Sequence, residues 1–129
     1  MPLVRIDLLQ GQSAEFRRAV GDVVYEAMLE TINVPQNDRF QVISEHGPEG
    51  FIYDPFYAGI ERSDGCIFIQ VTLSVGRTVE AKQAFYRRIA DELHRRLGVR
   101  REDVFINLIE VEKENWSFGH GIAQYAQGN

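Results

Sequence analysis

The least common chemistry in this chain sits at its second residue. After removal of Met1, Pro2 presents a secondary amine as the amino terminus. An α-amino group titrates near about 8, and burial against apolar side chains lowers that value. In the neutral form such an amine takes a proton or attacks a carbonyl; in the protonated form it donates one. An initiator methionine is readily removed before a small residue such as proline, yet many proteins begin Met-Pro without any such role. The case therefore turns on what else reaches the amine. Arg77 lies between Gly76 and Thr78, at the predicted start of a helix. Free backbone N–H groups and the helix dipole already favour an anion there, and a guanidinium can hold a carboxylate by two parallel hydrogen bonds. The competing reading is an ordinary surface arginine. Asp38 can position a water or polarise a substrate group beside the amine. It can equally serve only a turn, because Asp103 holds the equivalent place later in the chain.

Other reactive residues are less promising. His46, His94 and His120 lack metal-ligand spacing, so no metal is expected. Cys66 opens an apolar strand and reads as core rather than nucleophile. Phosphate-binding and dinucleotide-binding glycine patterns are absent from the sequence, and no cofactor is implied. The aromatics Phe51, Tyr53, Phe56, Trp116, Phe118 and Tyr125 either wall a pocket or fill an interface.

What would position these residues is a duplication. Residues 3–45 match residues 68–110 at an offset of 65, without a gap. Gly11-Gln12-Ser13-Ala14-Glu15 falls on Gly76-Arg77-Thr78-Val79-Glu80, and Val34, Asp38, Phe40 and Glu45 fall on Val99, Asp103, Phe105 and Glu110. Each unit reads strand, helix, strand. Strands are expected at Leu3–Leu9, Phe40–Ser44, Cys66–Leu73 and Val104–Val111. The helices follow the N-caps Ser13 and Thr78, with apolar residues stepping by three and four, and end near Asn33 and Gly98. The chain thus reads as one α/β (α+β) domain over residues 1–129. Its units span about 2–45 and 66–111, joined by a segment 46–65 and followed by a tail 112–129, neither of which shows a clear period.

A unit this short forms a right-handed crossover with parallel strands. Two such units joined through their first strands give a four-stranded mixed sheet with both helices on one face. If the central strands run antiparallel, then Pro2, Asp38 or Arg39, Arg77 and the tail meet at one rim. Val4, Ile6, Leu8, Ile67, Ile69, Val71 and Leu73 are too many to point all at helices. The second face is therefore expected to be apolar and covered by another subunit.

Bulk composition narrows the partners. A net charge of −5 argues against nucleic acid or an anionic membrane. One cysteine excludes an intrachain disulfide and suits a reducing compartment. The opening MPLVRIDLLQGQ is too short and too polar for a signal peptide, and no run approaches a membrane span, so the cytosol is expected.

With Met-Pro-Leu-Val-Arg-Ile-Asp-Leu, two matching units and Gly76-Arg77-Thr78, the sequence resembles the tautomerase superfamily over nearly its whole length. It is most similar to the malonate semialdehyde decarboxylase group, through Val34-Pro35-Gln36-Asn37-Asp38-Arg39-Phe40-Gln41 and through Trp116-Ser117-Phe118-Gly119 followed by Ala123-Gln124-Tyr125. The resemblance implies Pro2 as catalytic residue, Asp38 as the aspartate that assists it, and Arg77 as binder of the substrate carboxylate. Trp116, Phe118 and Tyr125 are the candidate substrate-binding aromatics. It also implies a homotrimer, with decarboxylation of 3-oxo acids or enol–keto tautomerisation as the reaction. Some relatives carry a second arginine two or three residues before the first. Here those places hold Val75 and Ser74, with Arg62 or Arg39 as the available substitutes. The alternative function is a non-catalytic, oligomeric small-ligand module, since paired units of this kind also build sensors.

Overall fold

The computed structural model describes residues 2–126; Met1, whose removal the Pro2 reading requires, and residues 127–129 of the tail lie outside the described residues. The element order is β1 (Leu3–Leu9), α1 (Ala14–Thr31), β2 (Gln41–His46), β3 (Ile67–Ser74), α2 (Val79–Leu97) and β4 (Val104–Val111). The sheet runs β2-β1-β3-β4, parallel within each unit and antiparallel between β1 and β3.

Hydrogen bonding repeats the duplication in detail. Ser13 and Thr78 each accept from the backbone N–H three residues on, Phe16 and Ala81 respectively. Asn33 and Gly98, one offset apart, both take left-handed conformations, at φ 59 and 69. Just beyond them Val34 N–H donates to Met28 O and Val99 N–H to Leu93 O, both at 3.3 Å. The central register obeys the same relation: Val4 faces Val71 and Ile6 faces Ile69, so the pseudo-twofold axis passes through the Arg5–Gln70 pair.

The repeat also reaches further than the sequence reading placed it. Short 3-10 turns at Pro48–Gly50 and Lys113–Asn115 coincide under the offset. Phe51 then answers to Trp116 and Tyr53 to Phe118, with ring centroids 6.4 Å and 5.9 Å apart within each pair. The connecting segment and the tail thus begin as copies of one another.

The core lies between the sheet and the two helices. Phe85, Ile89 and Leu93 of α2 and Val20, Val23, Val24, Ala27 and Met28 of α1 meet the sheet there. Ion pairs Arg96–Glu26 and Arg88–Glu30 tie the helices together on their solvent side. One expectation needs correction. Val4, Ile6, Leu8, Ile67, Ile69, Val71 and Leu73 do all point at the helices, none more than 3% exposed. Strand alternation explains it, since all seven share one phase of their strands. The intervening residues Leu3, Arg5, Asp7, Phe68, Gln70 and Thr72 make the open face, which is mixed rather than uniformly apolar.

Candidate active site

The start of β1 and the end of β3 share one rim, because Leu3 lies opposite Thr72. Val4 N–H donates to Phe40 O at 2.9 Å, which draws the start of β2 to the same rim. Val75 N–H donates to Val111 O at 3.0 Å, which brings the end of β4 there. The turn Lys113–Asn115 then sends the tail back across it. The predicted convergence is thus set by strand register, and no single side chain has to hold it.

Pro2 is buried. Together with Leu3, Phe40, Trp116, Ser117 and Phe118 it lines a cavity of about 180 Å³. Beside it, Arg77 lines a larger cavity of about 420 Å³ with Ile32, Asn33, Pro35, Ser74, Lys113 and Tyr125 among others. Pro2 and Arg77 therefore share a rim but open into separate cavities within one chain. Their walls are joined, because Trp116 Nε1–H donates to Ser74 Oγ at 3.0 Å. Phe118 also meets Tyr125 edge-on with centroids 4.9 Å apart. Asp38 is half-buried and its Oδ1 is sealed from solvent. In the chain it stands between Pro35, in the wall of the Arg77 cavity, and Phe40, in the wall of the Pro2 cavity.

Among the described residues, the hydrogen bonds that hold Arg77 go to backbone carbonyls. Its Nε–H donates to Ile32 O and its Nη1 to Ser74 O, each at 3.1 Å. The first acceptor is at the C-terminal end of α1, where the helix dipole favours a cation. A guanidinium carries five N–H donors, so this fixing leaves others for the cavity it lines.

The two aspartates have diverged. Asp103 is 2% exposed and accepts from Ser63 N–H at 2.7 Å and Ser63 Oγ–H at 2.6 Å, anchoring the connecting segment. The proposed substitutes for a second arginine are engaged elsewhere. Arg39 donates through Nη2 to Asp22 Oδ1 at 2.8 Å and stacks over Tyr25 at 5.0 Å. Arg62 Nη1 is directed at the carbonyls of Asp54, Tyr57 and Ile60. Lys113, which sequence reasoning did not single out, is the cation that shares the cavity with Arg77. Gln124, quoted within the motif but given no role there, closes the tail loop that presents the aromatics: its Oε1 accepts from Phe118 N–H at 2.9 Å and its Nε2 donates to Gly119 O at 3.0 Å. That loop passes through Gly119, His120 and Gly121, all at positive φ.

Of the weaker candidates, His120 lies in the tail loop, while His46, His94 and Cys66 fall outside the rim. His46 pairs with Asp7 at 2.6 Å and His94 Nδ1 lies 3.0 Å from Val99 O. Cys66 is 1% exposed, and burial, aided by the Asp103 carboxylate, pushes its thiol up to about 11. Among the described residues, no helix is long and apolar enough to cross a membrane.

Comparison with known proteins agrees with this geometry. Two family profiles, each described as "Tautomerase enzyme", match residues 38–119 and 2–57. The probable tautomerase YusQ of Bacillus subtilis (strain 168) is 48% identical over 124 residues, covering 96% of this chain and 98% of that one. A crystal structure of FG41 malonate semialdehyde decarboxylase inhibited by 3-bromopropiolate superposes with a TM-score of 0.88 at 41% identity, covering 95% of this chain and 93% of that one. A second malonate semialdehyde decarboxylase, described with decarboxylase and hydratase activities, gives 0.89 at 31% identity, covering 95% of each chain. The chain is a member of the tautomerase superfamily, sharing its fold of paired strand–helix–strand units.

Proposed function

We propose that the protein is a Pro2-dependent enzyme on small oxo-carboxylic acids, which decarboxylates 3-oxo acids of the malonate semialdehyde kind. One observation carries this reading: Pro2 is buried in an aromatic cavity whose Trp116 wall is hydrogen-bonded to the wall of the Arg77 cavity. A carboxylate binder thus stands one wall away from a proton donor. The 41% identity to a malonate semialdehyde decarboxylase supports the same substrate class.

In the proposed reaction Arg77 holds the substrate carboxylate, with Lys113 as a second cation. Protonated Pro2 donates a hydrogen bond to the aldehyde oxygen. The bond between the carboxylate carbon and C2 breaks, and its electron pair flows into the enolate stabilised by that hydrogen bond. Carbon dioxide leaves, and C2 takes up a proton to give the aldehyde. A neutral Pro2 can instead add to the same carbonyl and expel water to form an iminium, which serves as the electron sink. After carbon dioxide leaves and C2 is protonated, hydrolysis releases the aldehyde and frees the amine. Asp38, at the same rim, steadies the amine or a water beside it. The tautomerase reading has support of its own, because the relative at 48% identity is named a probable tautomerase. An enolate occurs in both reactions, so one site serves both.

A homotrimer fits the open sheet face, where Leu3, Val42 and Ile109 are each more than two-fifths exposed. Light scattering that finds a stable monomer would remove the trimer from this proposal.

The test of the proposal is turnover of malonate semialdehyde and of phenylenolpyruvate by the mature protein and by Pro2→Ala. Loss of about 10²–10⁴ in kcat is expected on at least one substrate. Full activity of Pro2→Ala, or of protein with an amino-terminal tag left in place, on every oxo acid tried would sink the mechanism. Borohydride added with substrate, followed by intact mass, separates the iminium route from the hydrogen-bonding one.

A further inference from the structure

The pseudo-twofold that relates the two units carries the Pro2 cavity onto a second cavity at the opposite end of the sheet. At the offset of 65, Leu3, Phe40, Ser117 and Phe118 become Phe68, Phe105, Ile52 and Tyr53. Those four residues do line a cavity, of about 310 Å³, completed by Tyr57, Arg62 and Asp54. The duplication has therefore preserved a binding shell at both ends while the chemistry has separated. Pro2 answers to Ile67, which lies within the chain and has no amine. Asp38 answers to Asp103, whose two oxygens are taken by Ser63. Nothing at the second end can do what Pro2 does.

What remains suits binding. Phe68 and Phe105 stand 5.2 Å apart at 53°, and Phe51 stacks on Phe68 with ring centroids 4.4 Å apart. Such tilted rings accept an aromatic guest edge-on or offset, and the volume is within the range of small-molecule sites. Arg62 supplies the polar end. Its Nη1 is fixed by the carbonyls of Asp54, Tyr57 and Ile60, which sets the guanidinium plane before any ligand arrives. The remaining donors face no such demand, so an anion meets a preorganised partner. The acidic wall residue Asp54 turns its Oδ1 to Phe56 N–H at 2.8 Å.

We propose that this cavity is a second, non-catalytic site that binds a small aromatic carboxylate, its ring against Phe68 and Phe105 and its acid on Arg62. The inference goes beyond the reading of Pro2 as catalyst and does not depend on it.

The experiment titrates 4-fluorobenzoate into protein whose amino terminus is blocked by a tag, followed by fluorine NMR. Saturable binding at one site per chain is expected. Tyr57→Ala and Phe105→Ala should each weaken it about tenfold, whereas Trp116→Ala, in the Pro2 cavity, should leave it unchanged. Neutral 4-fluorobenzamide should bind the unsubstituted protein about tenfold more weakly than the acid. Tyr57 is 72% exposed, so its truncation tests the site even if Phe105→Ala fails to fold. Absence of saturation, affinity that survives Tyr57→Ala, or loss of binding in Trp116→Ala overturns the site. Equal affinity for acid and amide overturns its carboxylate specificity.

Discussion

Arg77→Ala should do two separable things, and their ratio tells whether the arginine belongs to the site. The side chain donates to Ile32 O and Ser74 O, each at 3.1 Å, so truncation leaves two half-buried carbonyls without their charged donor. Hydrogen bonds to charged groups contribute about 1.5–3 kcal/mol each, and a rim position with water access takes the low end or less. A loss of about 2 kcal/mol overall is expected, which lowers Tm by roughly 5–10 °C for a domain of this size. The second effect is on substrate. A bidentate grip on a carboxylate contributes about 2–3 kcal/mol, equivalent to a KM raised about 30- to 150-fold. Steady-state kinetics on malonate semialdehyde beside a circular-dichroism melt measures both. Arg77→Lys, which keeps the charge and loses the planar fork, should fall between, and tautomerisation of an uncharged ester of phenylenolpyruvate should not respond to either change. A KM within about twofold of the unsubstituted protein, together with a clear drop in Tm, refutes the argument. Arg77 would then be only the cap that joins the end of α1 to the loop before α2.

The remaining predictions concern the duplicated aspartates and two titrating groups. Asp38→Asn should cut turnover with little change in the urea midpoint, whereas Asp103→Ala should lower that midpoint by the equivalent of about 2–3 kcal/mol at unchanged m-value, because Ser63 loses both of its acceptors. If the two variants behave alike in both assays, the divergence of the repeats is wrongly drawn. Cys66, with its thiol pushed up to about 11 by burial, should resist iodoacetamide at pH 8 in the native protein and react at once in denaturant; rapid native labelling contradicts its core placement. Glu92 is held at about 2, chiefly by the hydrogen-bonded guanidinium of Arg95 and further by Arg96. Its folded value lies below the unfolded value of about 4.3, so its contribution is complete above that pH and is lost as pH falls from about 4.3 to 2. Glu92→Gln should therefore flatten the acid limb of a melting-temperature profile between those values, and an unaltered limb would exclude Glu92 as its source.

Most of the scaffold was legible because it is fixed by local chemistry. Ser13 and Thr78 cap their helices through side chains that act three residues away, and Gly98 ends α2 through its own backbone freedom. Sheet order also followed from the duplication, since antiparallel first strands and right-handed crossovers leave little choice. The inward phase of the strands was misjudged, although β1 shows it openly: Arg5 and Asp7 alternate with Val4, Ile6 and Leu8. In β3, Phe68 and Thr72 look as β-prone as their inward neighbours, and that hid the alternation there. The candidate residues could be named from the sequence, but the connections between them could not. Arg77 reaches Ile32, and Trp116 reaches Ser74, across separations of 45 and 42 residues, where no local rule applies. The extension of the repeat to Trp116 and Phe118 was missed because only aromatic character survives between them and Phe51 and Tyr53.

The duplication itself explains why the two ends of the sheet had to part. A chain has one amino terminus, so a mechanism built on a terminal amine can occupy only one of two equivalent positions. At the other, Ile67 continues from Cys66 and is buried in the core, and no substitution there could restore the amine. On the proposed Pro2 mechanism no chemistry is possible at that end, and its aspartate carries no catalytic constraint. Asp103 now pins Ser63, and with it the segment that leads into β3 at the end of the sheet opposite Pro2. The shell residues bear on ligand contact rather than on proton transfer, so Phe68 and Phe105 had no comparable reason to change character. The persistence of a cavity without a catalyst is what a sequence-level duplication predicts when function depends on a chain end. The same logic makes Asp38 and Asp103 the most informative pair in the molecule, since equivalent chain positions, one half-buried and one 2% exposed, isolate what each end requires.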